Sequence, residues 1–155
     1  MSNGSSKPYA IGSDEEHDRL ERQARIGKIE DHLTKFSFAR DAVILDAGCG
    51  SGSMTRLLAK AAPDGRAIGV DVSEDHLSYA RMRAQEEAIE NISFETGDIF
   101  SLPFEDNTFD RVWSKYVLQW VNNPVHAVAE FRRVTRPGGK VVCCNFDGFS
   151  DNHYP

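Results

Sequence analysis

One stretch of the sequence combines an acidic residue with three glycines at alternating positions. The pattern D-x-G-x-G-x-G comprises Asp46, Gly48, Gly50 and Gly52. The apolar run 43–45 precedes the glycines, and apolar residues at helical spacing follow them, which indicates a buried strand, a tight turn and a helix. Glycine lets the backbone turn sharply and approach a ligand where a Cβ would collide. The stretch therefore predicts a ligand-binding turn at the carboxyl end of a strand, where open α/β sheets bind ligands.

The acidic residue of this turn discriminates between two kinds of nucleotide ligand. A dinucleotide fingerprint would need glycine or alanine at position 53, which is Ser53, and the carboxylate of Asp46 would repel a pyrophosphate. The same carboxylate would attract an ammonium group. The turn therefore favours an amino-acid-bearing nucleotide such as S-adenosylmethionine over NAD, with Cys49 contributing its small size rather than its thiol. The alternative is a tight turn that binds nothing.

Two further carboxylates follow the next two expected strands. Asp71 lies about 20 residues beyond the glycine turn, where an acidic residue can accept two hydrogen bonds from a ribose. Gly97 and Asp98 end the following strand, so Asp98 can accept from an adenine amine while Ile99 or Val72 packs on the ring. The alternatives are that Asp71 only caps the next helix and that Asp98 only shapes a turn.

Segments with the patterns of strands and helices alternate along the chain from residue 43 onwards. This alternation predicts βαβ units and a parallel sheet with right-handed crossovers. The expected strands are 43–47, 67–71, 92–95, 109–114 and 140–145, and the expected helices are 14–36, 53–62, 73 to about 90, and 124–134. Ser53 and Ser73 are the expected N-caps of two helices, and residues 136–139 are expected to form a turn.

The composition excludes several classes of protein. The 155 residues suffice for one domain with a substantial core, and 40% hydrophobic and 27% charged residues are typical of a globular protein. A net charge of −6 with no basic run argues against nucleic acid as a partner. No apolar run approaches the roughly 20 residues that span a bilayer. Three poorly spaced cysteines do not suggest a disulfide framework, so a cytoplasmic location is expected.

Four motifs together resemble the class I S-adenosylmethionine-dependent methyltransferases. They are LDAGCGSG (45–52), Asp71, TGDIFSLPFEDNTFDRVWS (96–114) and RVTRPGGKVV (133–142). The resemblance covers about residues 40 to 147 and is strongest to the branch that methylates small molecules, including ubiquinone-type and natural-product enzymes. It implies a doubly wound, Rossmann-like α/β fold with strand order 3-2-1-4-5 and an N-terminal helical cap.

The resemblance also implies which residues contact S-adenosylmethionine or its product S-adenosylhomocysteine. The implied contacts are Gly48, Gly50 and Gly52 at the methionine moiety, Asp71 at the ribose, and Asp98 and Ile99 at the adenine. After strand four, Ser114 or Lys115 is implied to lie close to the cofactor, together with Tyr116 and Leu118. Tyr9 and Arg22 are implied contacts from the cap.

The residues do not single out a catalytic group. Methyl transfer from a sulfonium is an in-line displacement that mainly requires alignment, so no catalytic dyad is obligatory. An oxygen or carbon nucleophile would need a base. The histidines at 17, 32, 76 and 126 are expected at the surface or at helix caps. His153 falls in an expected loop from which it could reach a substrate, and no metal site is supported. Trp113 and Trp120 are expected to pack, with cation–π contact to the sulfonium as the alternative.

Three other classes of function stay open. A nicotinamide-dependent oxidoreductase is disfavoured by Asp46 and Ser53. An aminopropyltransferase should have an acidic pocket after strand four, which the stretch SKYVLQW (114–120) does not offer. A non-catalytic or truncated S-adenosylmethionine-binding fragment is the third. The favoured function is methyl transfer to an N, O or C nucleophile of a small molecule, such as a natural product.

The chain is expected to divide into four parts. These are a flexible tail (1–12), a cap helix (13–38), the S-adenosylmethionine-binding core (39–147) and the start of a substrate-covering insertion (148–155). Enzymes of the resembled family add strands six and seven beside strand five, and these are absent from this sequence. We therefore expect either a fragment that lacks a C-terminal segment or a homo-oligomer or other partner that covers the open edge of strand five.

Overall fold

The computed structural model describes residues 14–26 and 39–144 of the chain. The helices are α1 (Asp14–Ile26), α2 (Ser53–Ala61), α3 (Glu74–Glu86) and α4 (Pro124–Val134), with a 3-10 helix at Leu118–Trp120. The strands are β1 (Val43–Ala47), β2 (Arg66–Asp71), β3 (Ile92–Thr96), β4 (Phe109–Lys115) and β5 (Thr135–Cys144). The expected tail, the expected insertion and the second half of the expected cap helix lie outside the described residues.

Within the described part of the chain, five strands form one parallel sheet in the order β3-β2-β1-β4-β5. This order confirms the predicted doubly wound arrangement. β1 lies at the centre, where Ala47 pairs with Val70 of β2 and Asp46 pairs with Trp113 of β4. Because all strands run in one direction, the carboxyl ends of β1, β2 and β4 meet at one edge. From β1 the chain adds β2 and β3 on one side of the sheet and then continues with β4 and β5 on the other side. The carboxyl ends of the strands at such a switch point are the usual place for a ligand.

Helices cover both faces of the sheet because successive side chains of a strand point to opposite sides. Ile44 packs with Leu58 of α2 and with Trp113 on one face. Leu45 packs with Phe131 of α4 on the other face. All five side chains are buried, so β1 is a strand covered on both sides, as its continuous apolar run predicts.

The two predicted N-caps have different outcomes. Ser73 caps α3 as expected, since its hydroxyl oxygen accepts from the backbone N–H of His76 at 3.3 Å. The cap predicted at Ser53 is wrong: the N-cap of α2 is Gly52, with φ of 71° and no side-chain cap bond. Gly52 reaches this left-handed conformation without a Cβ penalty, and Ser53 is the first helical residue.

β5 begins earlier than its pattern indicates. The segment 136–139, expected as a turn before the strand, belongs to the strand as an irregularity: Phe109 pairs with Thr135, whereas Arg111 pairs with Lys140. The extra residues between these two pairs bulge out of the ladder, and Gly138 adopts a φ of 79° there. The predicted strand end at 145 lies outside the described residues.

Within residues 14–26 and 39–144, no helix has the length and apolar character needed to cross a membrane. In the same part of the chain, no group of three or more His, Cys, Asp or Glu side chains is arranged to hold a metal ion.

Gly52 and Gly138 form a matched pair for testing the turn before α2. A Cβ at Gly52 would lie 2.7 Å from Ala80 Cβ and from Phe94 Cε1, whereas a Cβ at Gly138 would meet nothing within 4 Å. We expect Gly52→Ala to lower the free energy of unfolding by about 2–5 kcal/mol, because overpacking adds to left-handed strain. Gly138→Ala should cost only the strain, about 1–2 kcal/mol. Urea unfolding measures both, and equal losses would contradict the packing role of Gly52.

Candidate functional site

A cleft of about 1040 Å³ opens at the carboxyl edge of the sheet. Its volume is at the upper end of the range that is typical of small-molecule and cofactor sites. The predicted site residues that line it are Asp46, Gly48, Cys49, Gly50, Asp71, Val72, Gly97, Asp98, Ile99 and Lys115. The cleft therefore brings together residues from the ends of four neighbouring strands and from the loops that follow them.

The carboxylate of Asp71 connects the two turns that border the cleft. Its Oδ2 accepts from the backbone N–H of Gly50 at 2.9 Å, and its Oδ1 accepts from the backbone N–H of Ser73 at 2.9 Å. The Nδ1 atom of His76 lies 3.7 Å from Oδ1, which is beyond hydrogen-bond length, so this contact is electrostatic. Asp71 thus fixes the glycine turn after β1 to the start of α3.

The hydrogen bonds of Asp71 determine its charge. Burial raises the pKa of Asp71, but the His76 imidazole and the N–H groups of Ser73 and Gly50 outweigh burial and hold the pKa below its ordinary value. Two carboxylate oxygens offer about four acceptor sites, and the two backbone N–H groups leave part of that capacity for a ligand in the cleft. The bond to Ser73 also gives Asp71 the helix-end role that the sequence left as the alternative.

Asp46 lies deeper, at the floor of the cleft, and is only 1% exposed. Its Oδ2 accepts from the hydroxyl of Thr55 at 2.6 Å. Burial raises the pKa of Asp46 to about 7, and the bond from Thr55 only partly opposes this effect. Asp46 is therefore poised between its neutral and charged forms near neutral pH, unlike Asp71.

The third carboxylate, Asp98, borders the far end of the cleft. Its Oδ1 accepts from the backbone N–H of Phe100 at 2.9 Å, so it shapes the turn after β3, as the alternative interpretation has it. Val72 is 70% exposed and Ile99 is buried, and both line the cleft beside Asp98. An apolar residue, an acceptor group and a second apolar residue are thus available at one end of the cleft.

Helix α1 contributes Arg19 and Leu20 to the cleft, whereas the family resemblance implied Arg22. A Cβ at Gly50 would lie 3.4 Å from Leu20 Cδ1, so α1 passes close over the glycine turn. Arg22 is exposed, and its Nε donates to the carbonyl oxygen of Asp18 at 3.2 Å. One turn of helix separates Arg19 from Arg22, and only the first reaches the cleft.

Arg56 attaches α1 to the rest of the site. Its guanidinium is buried and donates to the carboxylate of Glu21 at 2.8 Å and to the carbonyl oxygen of Ser51 at 3.0 Å. Its Nε lies 2.9 Å from Glu87, just after α3. One cation therefore connects α1, the glycine turn and the end of α3.

Several other predicted residues do not line the cleft. Ser114 is buried, and its hydroxyl donates to the carbonyl oxygen of Ala47 at 3.0 Å, which joins β4 to β1. Gly52 packs against α3 and β3 instead of facing the cleft. Tyr9 lies outside the described residues. Burial raises the pKa of the Cys49 thiol, which agrees with a role for its size rather than its reactivity.

His17 and His76, which were expected at the surface or at helix caps, have buried side chains. His76 does lie in the capped first turn of α3, where its backbone N–H donates to Ser73. His17 stacks on Tyr79 with ring centroids 4.2 Å apart, and it meets His76 edge-on at 5.5 Å. Together these rings fill the space between α1 and α3. The sequence offered no signal for this, because the histidines face each other only once the two helices pack. His126 is exposed as expected, and His32 and His153 lie outside the described residues.

The cleft also contains Ser51, which the sequence did not single out, and Trp120, which was expected to pack. Ser51 is buried within the glycine turn, and its Oγ has no hydrogen-bond partner among the described residues. Ser51 lies between Gly50 and Gly52 in the sequence, and this position could have identified it as a cleft residue. Trp120 lines the cleft and is 75% exposed, contrary to the packing expected for it, whereas Trp113 packs in the core as expected.

The fold and the site define a class of protein. A parallel sheet with a glycine turn at the reversal of strand order, and with a carboxylate at the end of the adjacent strand, is the arrangement of a nucleotide-binding α/β domain. The family model described as "Methyltransferase domain" matches residues 45–143, and this chain belongs to that family.

Individual proteins agree with this assignment. An uncharacterized methyltransferase of Schizosaccharomyces pombe is 45% identical over 118 residues, which cover 72% of this chain and 42% of that protein. A demethylmenaquinone methyltransferase of Lactococcus lactis is 38% identical over 92% of this chain and 54% of its own length. The solved structure of a SAM-dependent methyltransferase from Aquifex aeolicus has a TM-score of 0.81 at 20% identity, over 92% of this chain and 78% of its own, and so shares the fold. The chain spans about half the length of these two curated relatives.

The buried carboxyl of Asp46 leads to a prediction about stability and pH. Its folded pKa of about 7 lies above the ordinary value of 3.8. Its contribution to stability is therefore fully present below about pH 4 and is lost as the pH rises to about 7, because the unfolded state ionises first. An asparagine side chain does not titrate, so Asp46→Asn does not lose stability in this way. Its free energy of unfolding, relative to that of wild type, should therefore increase by up to about 4 kcal/mol between pH 4 and pH 8.

Urea unfolding of wild type and Asp46→Asn at both pH values measures this difference. The comparison cancels the other titrating groups, which the two proteins share. Asp41→Asn is a matched control, since Asp41 is an exposed carboxylate just before β1 that does not line the cleft. A constant stability difference between wild type and Asp46→Asn across this range would contradict the high pKa.

Proposed function

We propose that this chain forms the S-adenosylmethionine-binding part of an enzyme that transfers a methyl group to an N, O or C nucleophile of a small molecule. The observation that carries the proposal is the hydrogen bond from the Gly50 N–H to the Asp71 carboxylate. It holds a glycine turn open at the cleft while an ionised carboxylate lies beside it. This is an arrangement suited to a ligand that carries a ribose and needs a close backbone approach.

The cleft residues fit the chemical groups of S-adenosylmethionine. Asp46 at the floor would bind the ammonium group and Asp71 the ribose hydroxyls. Gly48 and Gly50 would lie against the methionine chain because no Cβ intervenes. These roles are supported by the position of each residue in the cleft and by its charge.

The other end of the cleft suits an adenine ring. Val72 and Ile99 would pack on its two faces, and Asp98 would accept from its exocyclic amine. At Cys49 and Gly97 the small side chain or its absence would let the protein backbone approach the ligand closely. Arg19 and Leu20 of α1 would cover the ligand from above and exclude water, a role that the cap prediction gave to Tyr9 and Arg22.

S-adenosylmethionine supplies a methyl group on a positively charged sulfur, and the protein has to align the acceptor with it. The acceptor is proposed to be a small molecule, since the Lactococcus lactis relative is named for demethylmenaquinone and the cleft has room beside the proposed nucleotide site. The activity belongs to the whole enzyme, of which residues 39–147 would be the binding core and 13–38 the cap. We also propose a cytoplasmic location, which the cysteine content supports.

The first experiment tests the ribose contact of Asp71. Wild type should bind S-adenosylhomocysteine more tightly than its 2′,3′-dideoxy analogue, and Asp71→Ala should lose this discrimination. The loss amounts to about 1.5–3 kcal/mol for each hydrogen bond to the charged group. Asp71→Ala also weakens the binding of both ligands, because the Gly50 and Ser73 N–H groups lose their acceptor. The ratio of the two affinities therefore isolates the contribution of the ribose hydroxyls.

Calorimetric titration measures these affinities. Asp75→Ala is the matched control, since Asp75 is an exposed acidic residue in the first turn of α3 that does not line the cleft. Discrimination that persists in Asp71→Ala would contradict the ribose assignment.

The second experiment tests the reaction. The protein should bind S-adenosylhomocysteine and not NAD, and at about 100 times the dissociation constant the ligand should raise the free energy of unfolding by about 2.7 kcal/mol. Methyl-labelled S-adenosylmethionine, supplied to the whole enzyme with phenol, amine and quinol acceptors, should label at least one of them. Gly50→Val should abolish binding because its φ of 52° strains a β-branched residue. Stabilisation by NAD in place of S-adenosylhomocysteine would overturn the proposal.

A further inference from the structure

Lys115 is a cation in the cleft whose counterion the described residues do not supply. It is the last residue of β4 and lines the cleft. Among the described residues, no carboxylate oxygen lies within 4.0 Å of its ammonium group, whereas Arg19 pairs with Glu16 at 2.8 Å. The Lys115 Nζ lies 4.6 Å from the centroid of the Tyr116 ring, a cation–π contact that holds the ammonium in place without neutralising it.

The surroundings of Lys115 make an anionic ligand favourable. Burial lowers the pKa of Lys115, against the smaller raising effects of Cys144 and Asp46. Asp46 is itself partly protonated near neutral pH, so it offers only part of a negative charge. A half-buried ammonium group gains stability from an opposite charge at close range.

The backbone after Lys115 is held in an unusual conformation. Tyr116 has a φ of 61°, which is rare for an aromatic residue, and such strain persists only where the surrounding structure enforces it. Its backbone N–H donates to the carbonyl oxygen of Cys144 at 2.6 Å. This bond anchors the residue to β5 and fixes the ring on which the ammonium lies.

The cleft also presents apolar surface to a second ligand. Trp120 is 75% exposed, and Phe100 and Val121 are half-buried, while all three line the cleft. Large apolar side chains in a cleft favour a ligand with flat hydrophobic faces. A cation beside apolar walls therefore suits a flat ring that carries a negative charge at one edge.

We propose that Lys115 binds the ionised hydroxyl of the methyl acceptor, and that the acceptor is a flat conjugated ring with an acidic hydroxyl group, such as a phenol or an enol. This inference rests on the proposed function and specifies its substrate class. It gives Lys115 a contact with the acceptor, in addition to the nearness to the cofactor that the family resemblance implied.

Ion pairing would make the acceptor reactive without a dedicated base. The hydroxyl O–H bond breaks, its proton goes to bulk water, and the electron pair stays on the oxygen opposite the ammonium. An opposite charge within about 4–6 Å lowers the pKa of an acidic group by about 1–3 units. The oxygen, or the ring carbon beside it, then carries the electron density that attack on a methyl group requires. Because the proton goes to bulk water, no carboxylate is needed as a base, and Asp71 keeps its role of holding the glycine turn.

The test uses 4-nitrophenol as the probe, because its phenolate is coloured and reports ionisation without turnover. The probe is bound to the 155-residue chain saturated with S-adenosylhomocysteine, and its apparent pKa is measured by absorbance. The variants are Lys115→Met, Lys115→Arg and Lys140→Met, which removes an exposed charge outside the cleft. We expect the bound probe to have a pKa at least about one unit below that of the free probe in wild type, Lys115→Arg and Lys140→Met, and no such shift in Lys115→Met.

Three outcomes overturn the inference. One is a lowered probe pKa in Lys115→Met, and another is no binding of the probe to wild type. The third is that Lys115→Met weakens S-adenosylhomocysteine but not 5′-methylthioadenosine, which lacks the carboxylate, because Lys115 would then bind the cofactor. If wild type does not bind S-adenosylhomocysteine, the proposed function fails instead, and the probe titration without it still decides whether Lys115 binds an oxyanion.

Discussion

The site depends on the two hydrogen bonds that the Asp71 carboxylate accepts from Gly50 and Ser73. These bonds join the turn after β1 to the turn after β2, which are far apart in sequence and adjacent only because the strands pair. A charged acceptor makes each bond stronger than one between neutral groups. The glycine turn therefore has a fixed shape before any ligand arrives, and the ordering cost of binding is reduced accordingly.

Two aspartate side chains in the cleft have different protonation states. Asp71 receives backbone N–H groups and is held ionised, whereas Asp46 is buried with a single hydroxyl donor and has a pKa of about 7. Lys115 adds a positive charge beside them. Burial and hydrogen bonding, rather than residue type, set this separation of charges, so the proposed contacts with the ammonium group, the ribose and the acceptor would lie at points of different charge.

Helix α1 is attached beside the cleft through a buried ion pair. Arg56 connects Glu21 of α1 to the glycine turn and to Glu87, and removing one partner of such a pair leaves an uncompensated charge, at a cost of about 3–5 kcal/mol. His17 adds ring contacts with α3. Polar and aromatic contacts of its described side chains therefore hold α1 over Gly50.

The sequence by itself determined the parallel sheet and most of the local structure, but not the N-cap of α2 or the start of β5. The apolar run of β1, the glycines after it and the cap at Ser73 act over a few residues, so their effects can be inferred without knowing what packs against them. The strand order followed from the resemblance of the motifs. The tertiary structure alone decided that Arg19 rather than Arg22 reaches the cleft, that the Ser114 hydroxyl is used within the sheet, and that Asp46 titrates near neutral pH. Each of these depends on distances between segments remote in sequence, and burial and hydrogen bonding are set only when those segments meet.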